Sequence, residues 1–249
     1  MKFFDSHLHI IDPRFPLREN QGYLPDSFTV EDYQSELAGH GLLGGAIVSG
    51  SFQGFDQTYL VAALRQLGPR YCGVTQLPAT VSDGELVSLD REGVRAVRFN
   101  LRRGGSETIE NLEGLARRIH DLLGWHVELY VDSASLGELS QTIARLPAIS
   151  IDHLGLSQQG LDILVNLAGR GVRVKATGFG RVDFPVAKAL REIYDANPKA
   201  LMFGTDLPST RAPRPFTPDD LRLITEIFSC DEAENVLFRN ALSFYRVGT

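Results

Sequence analysis

The chain has 249 residues, of which 43% are hydrophobic and 22% are charged, and its formal net charge is −6. This composition is typical of a globular protein with one large core, and the negative charge argues against nucleic acid or an anionic membrane surface as the main partner. Cys72 and Cys230 lie in no metal-binding spacing, which argues against a disulfide framework and favours a reducing compartment, the cytoplasm.

The N-terminus shows no apolar signal region, and no apolar run approaches the roughly 18 residues of a membrane span. The first predicted strand, 3–9, precedes a loop over 10–27 that we expect to be a lid or an ordered surface loop. The remaining predicted strands are 44–49, 71–77, 94–101, 125–131, 149–153, 172–177 and 201–205. The predicted helices are 30–39 with Thr29 as its N-cap, 57–67, 83–92, 110–123, 136–146, 160–169, 185–196, 218–228 and 231–245.

Strands that alternate with helices imply a parallel sheet. Eight such repeats in about 250 residues favour a closed (β/α)8 TIM barrel of the α/β class over an open doubly wound sheet. No linker, charge block or abrupt change of composition interrupts the chain, so we predict a single barrel domain over residues 1–249. No GxGxxG or GxxxxGK[ST] motif follows a predicted strand, which argues against a nucleotide-binding sheet.

The C-terminal strand ends of such a barrel face the active site, and polar residues cluster there. Because alternate residues of a strand share a face, we expect Asp5, His7 and His9 on one face of the first strand. The two histidines can converge on a metal ion, a water molecule or a substrate oxygen. The other strand ends contribute Ser49 and Ser51; Arg98 and Asn100; Glu128, Tyr130 and Asp132; His153; Lys175, Thr177 and Arg181; and Asp206.

Each of these positions has a structural alternative. Asp206 could be a helix N-cap or turn residue, and His153 could be a hydrogen-bonded turn histidine. Arg98 could be a solvated charge, and Lys175 with Glu128 could form an ion pair inside the barrel. Tyr130 could pack at the rim. Three further histidines lie on helices or at the opposite strand end and are expected to be structural: His40, His120 and His126.

Several of these segments together resemble the amidohydrolase superfamily: Asp5-Ser6-His7-Leu8-His9, Val97-Arg98-Phe99-Asn100, Trp125-His126-Val127-Glu128-Leu129, Asp152-His153-Leu154-Gly155 and Phe203-Gly204-Thr205-Asp206. More narrowly, within amidohydrolase family 2, they are similar to the branch of 2-pyrone-4,6-dicarboxylate lactonase and the sugar-lactone hydrolases. The resemblance implies a (β/α)8 barrel that adds water to an activated carbonyl group.

The resemblance also implies roles for individual residues. Asp206 would be the general base, while His7, His9 and His153 would polarise the carbonyl or hold the attacking water. The expected substrate-binding residues are Arg98 and Arg181 for carboxylates, with Ser51, Tyr130 and Asn100 lining the pocket.

The chain departs from the resembled pattern at several positions. Many relatives carry histidine in place of Tyr130, and the strand-four lysine of two-metal members is missing, so a binuclear centre is not expected. We therefore expect either no cofactor or one divalent metal such as zinc, held by His7, His9 and Asp206. The residues Leu156 and Leu207-Pro208-Ser209 replace polar groups of the pyrone-lactonase pattern, which suggests a different substrate.

Together these observations predict a hydrolase that adds water to the lactone carbonyl of a small, anionic molecule. Two alternatives remain. The first is a metal-dependent decarboxylation, hydration or lactone isomerisation on the same barrel, and the second is a non-catalytic barrel that binds a small molecule.

Overall fold

The computed structural model describes residues 1–248. Eight parallel strands form one sheet in the order β1 to β8, so that neighbours in sequence are neighbours in space. The strands are β1 (Phe3–Leu8), β2 (Leu42–Val48), β3 (Tyr71–Thr75), β4 (Val94–Asn100), β5 (His126–Tyr130), β6 (Ile149–Ile151), β7 (Arg173–Ala176) and β8 (Leu201–Phe203).

Helices follow the strands around the outside of the sheet. They are α1 (Val30–Glu36), α2 (Thr58–Leu67), α3 (Asp83–Arg91), α4 (Leu112–Leu123), α5 (Leu136–Ile143), α6 (Leu161–Gly169), α7 (Val186–Ala196), α8 (Pro218–Ile227), α9 (Cys230–Glu234) and α10 (Asn240–Tyr245). Thr29 caps α1 as predicted, because its side chain accepts a hydrogen bond from the backbone N–H of Asp32. None of the described helices has the length and hydropathy needed to span a bilayer.

The sheet closes where β8 meets β1. Ser6 Oγ donates to the carbonyl of Met202 at 3.1 Å, and the backbone N–H of Asp206 donates to the carbonyl of His7 at 2.7 Å. The N–H of His9 donates to the carbonyl of Leu207 at 2.8 Å. The predicted (β/α)8 barrel is therefore confirmed. Its closure brings the first strand, β1, into direct contact with the residues of the last strand, β8, and of the loop after it.

The core has two parts. A large apolar cluster lies between the sheet and the helices, and a smaller one combines Phe4, Val48, Val74 and Met202 from the strands with Tyr245 of α10. Buried polar side chains occupy the remaining barrel interior, towards the C-terminal strand ends.

The prediction that Asp5 shares a strand face with His7 and His9 is wrong. Its carboxylate accepts hydrogen bonds from Thr205 and from the hydroxyl of Tyr33, which lies close to the start of α1. The pairing of β1 with β2 is irregular between Asp5 and Leu8, and an irregularity of this kind breaks the strict alternation of side chains.

Two predicted helix assignments also differ. The helix predicted at 231–245 consists of α9, a π-helical segment (Asn235–Arg239) and α10. His40 lies in the turn after α1 rather than on a helix, because α1 ends at Glu36. His120 lies on α4, and His126 is buried at the start of β5 against Phe244, in agreement with the structural roles expected for both.

Candidate active site

Asp206 lies at the centre of a cluster of imidazoles at the C-terminal end of the barrel. Its Oδ1 atom is 3.6 Å from Nε2 of His9 and 3.9 Å from Nε2 of both His7 and His153. All four side chains are buried, and Oδ1 has no hydrogen-bond partner among the described residues. The structure therefore brings together the four residues that the sequence singled out as catalytic.

Arg181 holds the other oxygen of this carboxylate. Its Nε donates to Oδ2 of Asp206 at 2.6 Å, and its NH2 donates to the carbonyl of Thr210 at 2.8 Å. Burial acts to raise the pKa of Asp206, but the Arg181 guanidinium, together with His153, outweighs burial and holds the pKa well below its usual range. Asp206 is therefore a carboxylate at every pH at which the protein would work.

Gly178 allows Arg181 and His153 to approach each other. It precedes the short turn Phe179–Arg181 with a φ of +60°. A Cβ at this position would lie 2.8 Å from Nδ1 of His153 and 2.9 Å from Cδ of Arg181. A side chain here would displace a residue of the cluster, so the local backbone needs glycine.

Two of the imidazoles are oriented by uncharged oxygen atoms. Nδ1 of His9 lies 2.7 Å from the carbonyl oxygen of Val48, which can only accept, so Nδ1 carries a proton and Nε2 is the nitrogen that faces the site. Nδ1 of His153 lies 2.7 Å from Oγ1 of Thr177. Burial lowers the pKa of His153 to about 3, although Asp206 acts to raise it, so this ring is neutral near pH 7.

The third imidazole, His7, is surrounded by ionisable groups. Its Nδ1 lies 3.2 Å from Nζ of Lys175, 3.5 Å from Oδ1 of Asp152 and 3.6 Å from Oε1 of Glu128. Burial and then the charge of Lys175 lower the pKa of His7 well below its ordinary value, so this ring is also neutral. Its Nε2 has no hydrogen-bond partner among the described residues.

Below the imidazoles, two buried ion pairs fill the barrel. NH2 of Arg98 lies 2.7 Å from Oδ2 of Asp152, and NH1 donates to the carbonyl of Ser49 at 2.9 Å. Arg98 is therefore not the solvated charge that the sequence left as one alternative. Lys175 Nζ lies 2.5 Å from Oε2 of Glu128, which is the ion pair considered from the sequence. Burial, and then the neighbouring Asp152, raise the pKa of Glu128 to about 8.

A narrow cavity opens above the cluster, with free space of about 30 Å³, enough for one or two water molecules. Eight of its lining residues were singled out from the sequence: His9, Ser51, Arg98, Asn100, Tyr130, His153, Arg181 and Asp206. His7 lies beneath the cavity and does not line it. The sequence analysis missed six lining residues beyond the strand ends: Tyr23, Gly50, Phe52, Arg103, Thr210 and Arg211.

Arg103 and Arg211 differ from the other arginines of the site because neither has a carboxylate within ion-pair distance in the described chain. The Arg211 guanidinium lies 4.2 Å from the ring centroid of Tyr23 and donates to the carbonyl of Asn20. Both arginines line the cavity, and burial and then the positive charge of Arg103 lower the pKa of Arg211. The available sequence signal was the Arg102-Arg103-Gly104-Gly105 run directly after β4.

The loop 10–27 covers part of this cavity. Besides the contact of Tyr23 with Arg211, the side chain of Asn20 donates to the carbonyl of Arg103 at 3.2 Å. A backbone bridge between Ile11 and Phe28 ties the ends of the loop together. The loop therefore has the position that the predicted lid requires.

The donor set His7, His9 and Asp206 meets the distance requirement for one metal ion, because one ligand atom from each lies within 4.8 Å of the others. The contact of His9 Nδ1 with a carbonyl oxygen leaves Nε2 as the nitrogen that can face an ion. For His7 the outcome depends on the tautomer, because a neutral ring whose Nδ1 accepts from Lys175 carries its proton on Nε2, the atom that would bind the metal. The three residues therefore fit an ion only when the ring proton of His7 lies on Nδ1.

The residues that replace polar groups of the resembled pattern, Leu156 and Leu207-Pro208-Ser209, do not line the cavity. Leu156 lies at the outer mouth beside Arg181, and the side chain of Leu207 is buried. Ser209 is buried, and its Oγ accepts a hydrogen bond from the N–H of Phe216 at 3.1 Å. Positive charge at this side of the cavity comes instead from Arg211.

The sequence is similar to that of a curated protein. The chain is 33% identical over 158 residues to a 2-pyrone-4,6-dicarboxylate hydrolase from Comamonas testosteroni. The alignment covers 61% of this chain and 51% of the relative, so it spans about half of the relative's length.

Solved structures resemble the whole chain. A candidate 2-pyrone-4,6-dicarboxylic acid hydrolase from Pseudomonas putida is 26% identical with a TM-score of 0.83, and the match covers 100% of this chain and 98% of that one. A similarly described Acinetobacter baumannii protein, solved with citric acid bound, is 22% identical with a TM-score of 0.84 over 99% of this chain and 100% of that one. The model of the amidohydrolase family matches residues 4–247, which confirms the expected family. The chain belongs to the amidohydrolase family.

Proposed function

We propose that this protein hydrolyses a lactone, the cyclic ester of a small molecule that carries carboxylate groups. The observation that carries the proposal is the unpartnered Oδ1 of Asp206, which faces three imidazole nitrogens at the floor of an arginine-lined cavity. The name of the Comamonas testosteroni relative, a hydrolase of 2-pyrone-4,6-dicarboxylate, supports the same substrate class.

The attacking water binds between Asp206 and His9. Oδ1 of Asp206 and Nε2 of His9 lie 3.6 Å apart, so one water molecule can bridge them, donating one hydrogen bond to Oδ1 and the other to Nε2 when that nitrogen carries no proton. Asp206 accepts the proton as the water oxygen attacks the carbonyl carbon. The resulting tetrahedral intermediate collapses with cleavage of the ring C–O bond, and the proton passes to the leaving oxygen.

We assign the stabilisation of the negative charge that develops on the carbonyl oxygen to His153, which lines the cavity, and to His7, which is buried directly beneath it and is reached once substrate has widened the cavity. Thr177 can donate to Nδ1 of His153, which places the proton of this neutral ring on Nε2, beside Asp206. A donor aimed at a developing oxyanion contributes on the order of 3–4 kcal/mol of transition-state stabilisation. Both rings are buried and held in place before substrate binds, so they need little reorganisation.

The arginines bind the carboxylates of the substrate. Arg103 and Arg211 carry uncompensated charge at the cavity, and guanidinium groups match carboxylates in a bidentate way. Arg181 is shared, because a substrate carboxylate competes with Asp206 for its N–H groups. Such competition raises the pKa of Asp206 and makes it a stronger base only when substrate is present.

We expect the loop 10–27 to move when substrate enters. The free volume directly above the imidazoles is about 30 Å³, enough for one or two water molecules, and a pocket of about 250 Å³ adjoins it at Arg103, Tyr130, Arg181 and Arg211. The contacts that close the cavity, between Arg211 and both Tyr23 and Asn20, are few and join one loop to another. We therefore assign the loop the role of a lid over the site.

The test is an activity screen of the purified protein on 2-pyrone-4,6-dicarboxylate, other carboxylated lactones and uncharged sugar lactones. The mass of the product distinguishes the reactions, because hydrolysis adds the mass of one water, decarboxylation removes that of carbon dioxide and isomerisation leaves the mass unchanged. We expect addition of water to a carboxylated lactone, with little turnover of uncharged ones. Carbon dioxide release, or binding without any turnover, would contradict the proposal.

Asp206→Asn provides the matched variant. Asparagine keeps the shape of the aspartate side chain and tolerates the backbone φ of +61° at this position, so the variant should fold as the wild type does. Loss of the base should lower kcat by about 10²–10⁴-fold. Asp12→Asn is the control, since Asp12 follows β1 at the same end of the barrel, pairs with Arg14 and does not line the cavity. Equal activity of the two variants would remove Asp206 from the mechanism.

A further inference from the structure

Lys175 is a buried residue that cannot touch the substrate yet contacts the catalytic cluster. Its side chain is fully buried inside the barrel, it does not line the cavity, and its Nζ lies 3.2 Å from Nδ1 of His7. Glu128 anchors Nζ from the other side at 2.5 Å, and the ring centroid of Tyr245 is 5.7 Å away. The lysine is therefore held in one place by groups below the active site.

His7 is the imidazole of the cluster whose inner nitrogen faces both a cation and carboxylates. Two arrangements are open to its neutral ring. With the proton on Nδ1, the ring would donate towards Asp152 at 3.5 Å or Glu128 at 3.6 Å. With the proton on Nε2, Nδ1 accepts from Lys175 at 3.2 Å. The lysine contact is the shortest of the three, and an ammonium group has no lone pair with which to accept a hydrogen bond.

We propose that Lys175 is a positioning residue that keeps the proton of His7 on Nε2. Nε2–H then points at the site, 3.9 Å from Oδ1 of Asp206, too far for a hydrogen bond and therefore free for the substrate carbonyl. The same proton prevents His7 from ligating a metal ion. Lys175 thus selects a hydrogen-bond donor in place of a metal ligand at the first histidine of the His-Leu-His motif.

The carboxylates next to Lys175 determine where the His7 proton would lie without the lysine. If Lys175 is absent, Asp152 Oδ1 and Glu128 Oε1, neither of which has a hydrogen-bond partner among the described residues, are the remaining polar atoms near Nδ1. The His7 proton would move to Nδ1 to satisfy one of them. Nε2 would then offer a lone pair beside His9 and Asp206, which is the arrangement that a divalent ion requires.

The direct test is 15N NMR of ring-labelled histidine in the wild-type protein, with His7→Gln used to assign the His7 signals. We expect a protonated Nε2 and an unprotonated Nδ1. In Lys175→Met the proton should move to Nδ1. Lys175→Met/Glu128→Gln removes the ion pair without leaving a buried unpaired charge, and it should show the same change if the single variant does not fold. A wild-type proton on Nδ1, or an unchanged tautomer in the folded variants, would overturn the proposal.

A zinc titration gives a second readout. We expect Lys175→Met or the double variant to bind zinc at least tenfold more tightly than the wild type, with perturbed His7 signals. Stoichiometric zinc on the wild type with His7 coordinated would overturn the proposal. For the lactone reaction, the variants should lose about 10²-fold in kcat with KM within about twofold, as expected when one oxyanion donor is lost.

The catalytic consequence rests on the proposed lactone hydrolysis, but the tautomer and zinc measurements need no substrate. An inactive protein with the expected tautomer would contradict the proposed function alone. An active protein with the proton on Nδ1 would contradict the role of Lys175 alone.

Discussion

The carboxylate of Asp206 and the guanidinium of Arg181 form a buried pair, with 2.6 Å between Oδ2 and Nε. The pair has two opposing effects on a general base. It keeps Asp206 ionised, and it stabilises that ionised form so strongly that the carboxylate attracts a proton weakly. In the proposed mechanism a substrate carboxylate that binds Arg181 would relieve the second effect and so couple substrate binding to activation of the base.

This coupling predicts the pH dependence of an Arg181 variant. Arg181→Gln removes the main cause that lowers the pKa of Asp206 and leaves burial, which raises it. Since the base acts only when deprotonated, activity is lost below its pKa, and the acid limb of kcat/KM should move to higher pH in the variant. The measurement is the pH profile of kcat/KM. Arg181→Lys, which keeps the charge, is the control; superimposable acid limbs for Arg181→Gln and the wild type would refute the coupling.

Arg211 is expected to determine affinity for carboxylated substrates. Its guanidinium lines the cavity without a carboxylate partner, so Arg211→Gln removes a charge-assisted hydrogen bond worth about 1.5–3 kcal/mol. KM for a carboxylated lactone should rise by about 10–100-fold, while kinetics on an uncharged lactone stay the same. Arg102→Gln is the control, because Arg102 is already paired with Asp132 at 2.7 Å and lies outside the main cavity. Equal KM changes in both variants would show that the overall electrostatic potential of the protein, and not a contact with Arg211, determines the affinity for the carboxylate.

The pair of Arg98 and Asp152 is expected to stabilise the barrel more than it binds substrate. Arg98→Met leaves the buried Asp152 carboxylate without its main partner, which should cost about 3–5 kcal/mol of unfolding free energy. Denaturant unfolding measures the loss. Arg65→Met is the matched control, because Arg65 pairs with Glu92 on the surface and its removal should leave the midpoint nearly unchanged. An unfolding midpoint for Arg98→Met equal to that of the control would refute a structural role for the buried pair.

The two cysteines should differ sharply in reactivity. Burial raises the pKa of the Cys72 thiol to about 12, whereas Cys230 is exposed at the start of α9. A thiol reagent should therefore modify one cysteine in the native protein and two after unfolding. Cys230→Ser should abolish the native reaction, and Cys72→Ser should leave it unchanged. Two fast-reacting thiols in the native protein would contradict the buried position of Cys72.

The sequence by itself determined the barrel and the centre of the site. Alternating strand and helix periodicity is a local property, so the eight strands were found with small errors at their ends. In a parallel barrel the C-terminal strand ends meet at one face, so the sequence could place His7, His9, His153 and Asp206 in one site although their contacts could not be predicted. The N-cap at Thr29 could be read in the same way, because capping depends on residues three apart.

Only the tertiary structure decided which partner each charged side chain takes. The alternation of side chains along a strand holds only where the strand pairing is regular. The pairing of β1 with β2 is irregular after Asp5, and for this reason the sequence placed Asp5 on the wrong face. The pairing of Arg98 with Asp152 and the contact of Lys175 with His7 join residues 54 and 168 positions apart, and no sequence spacing encodes them. Arg103 and Arg211 lie on loops beyond the strand ends, where closure of the barrel and of the loop 10–27, rather than strand geometry, brings them over the site.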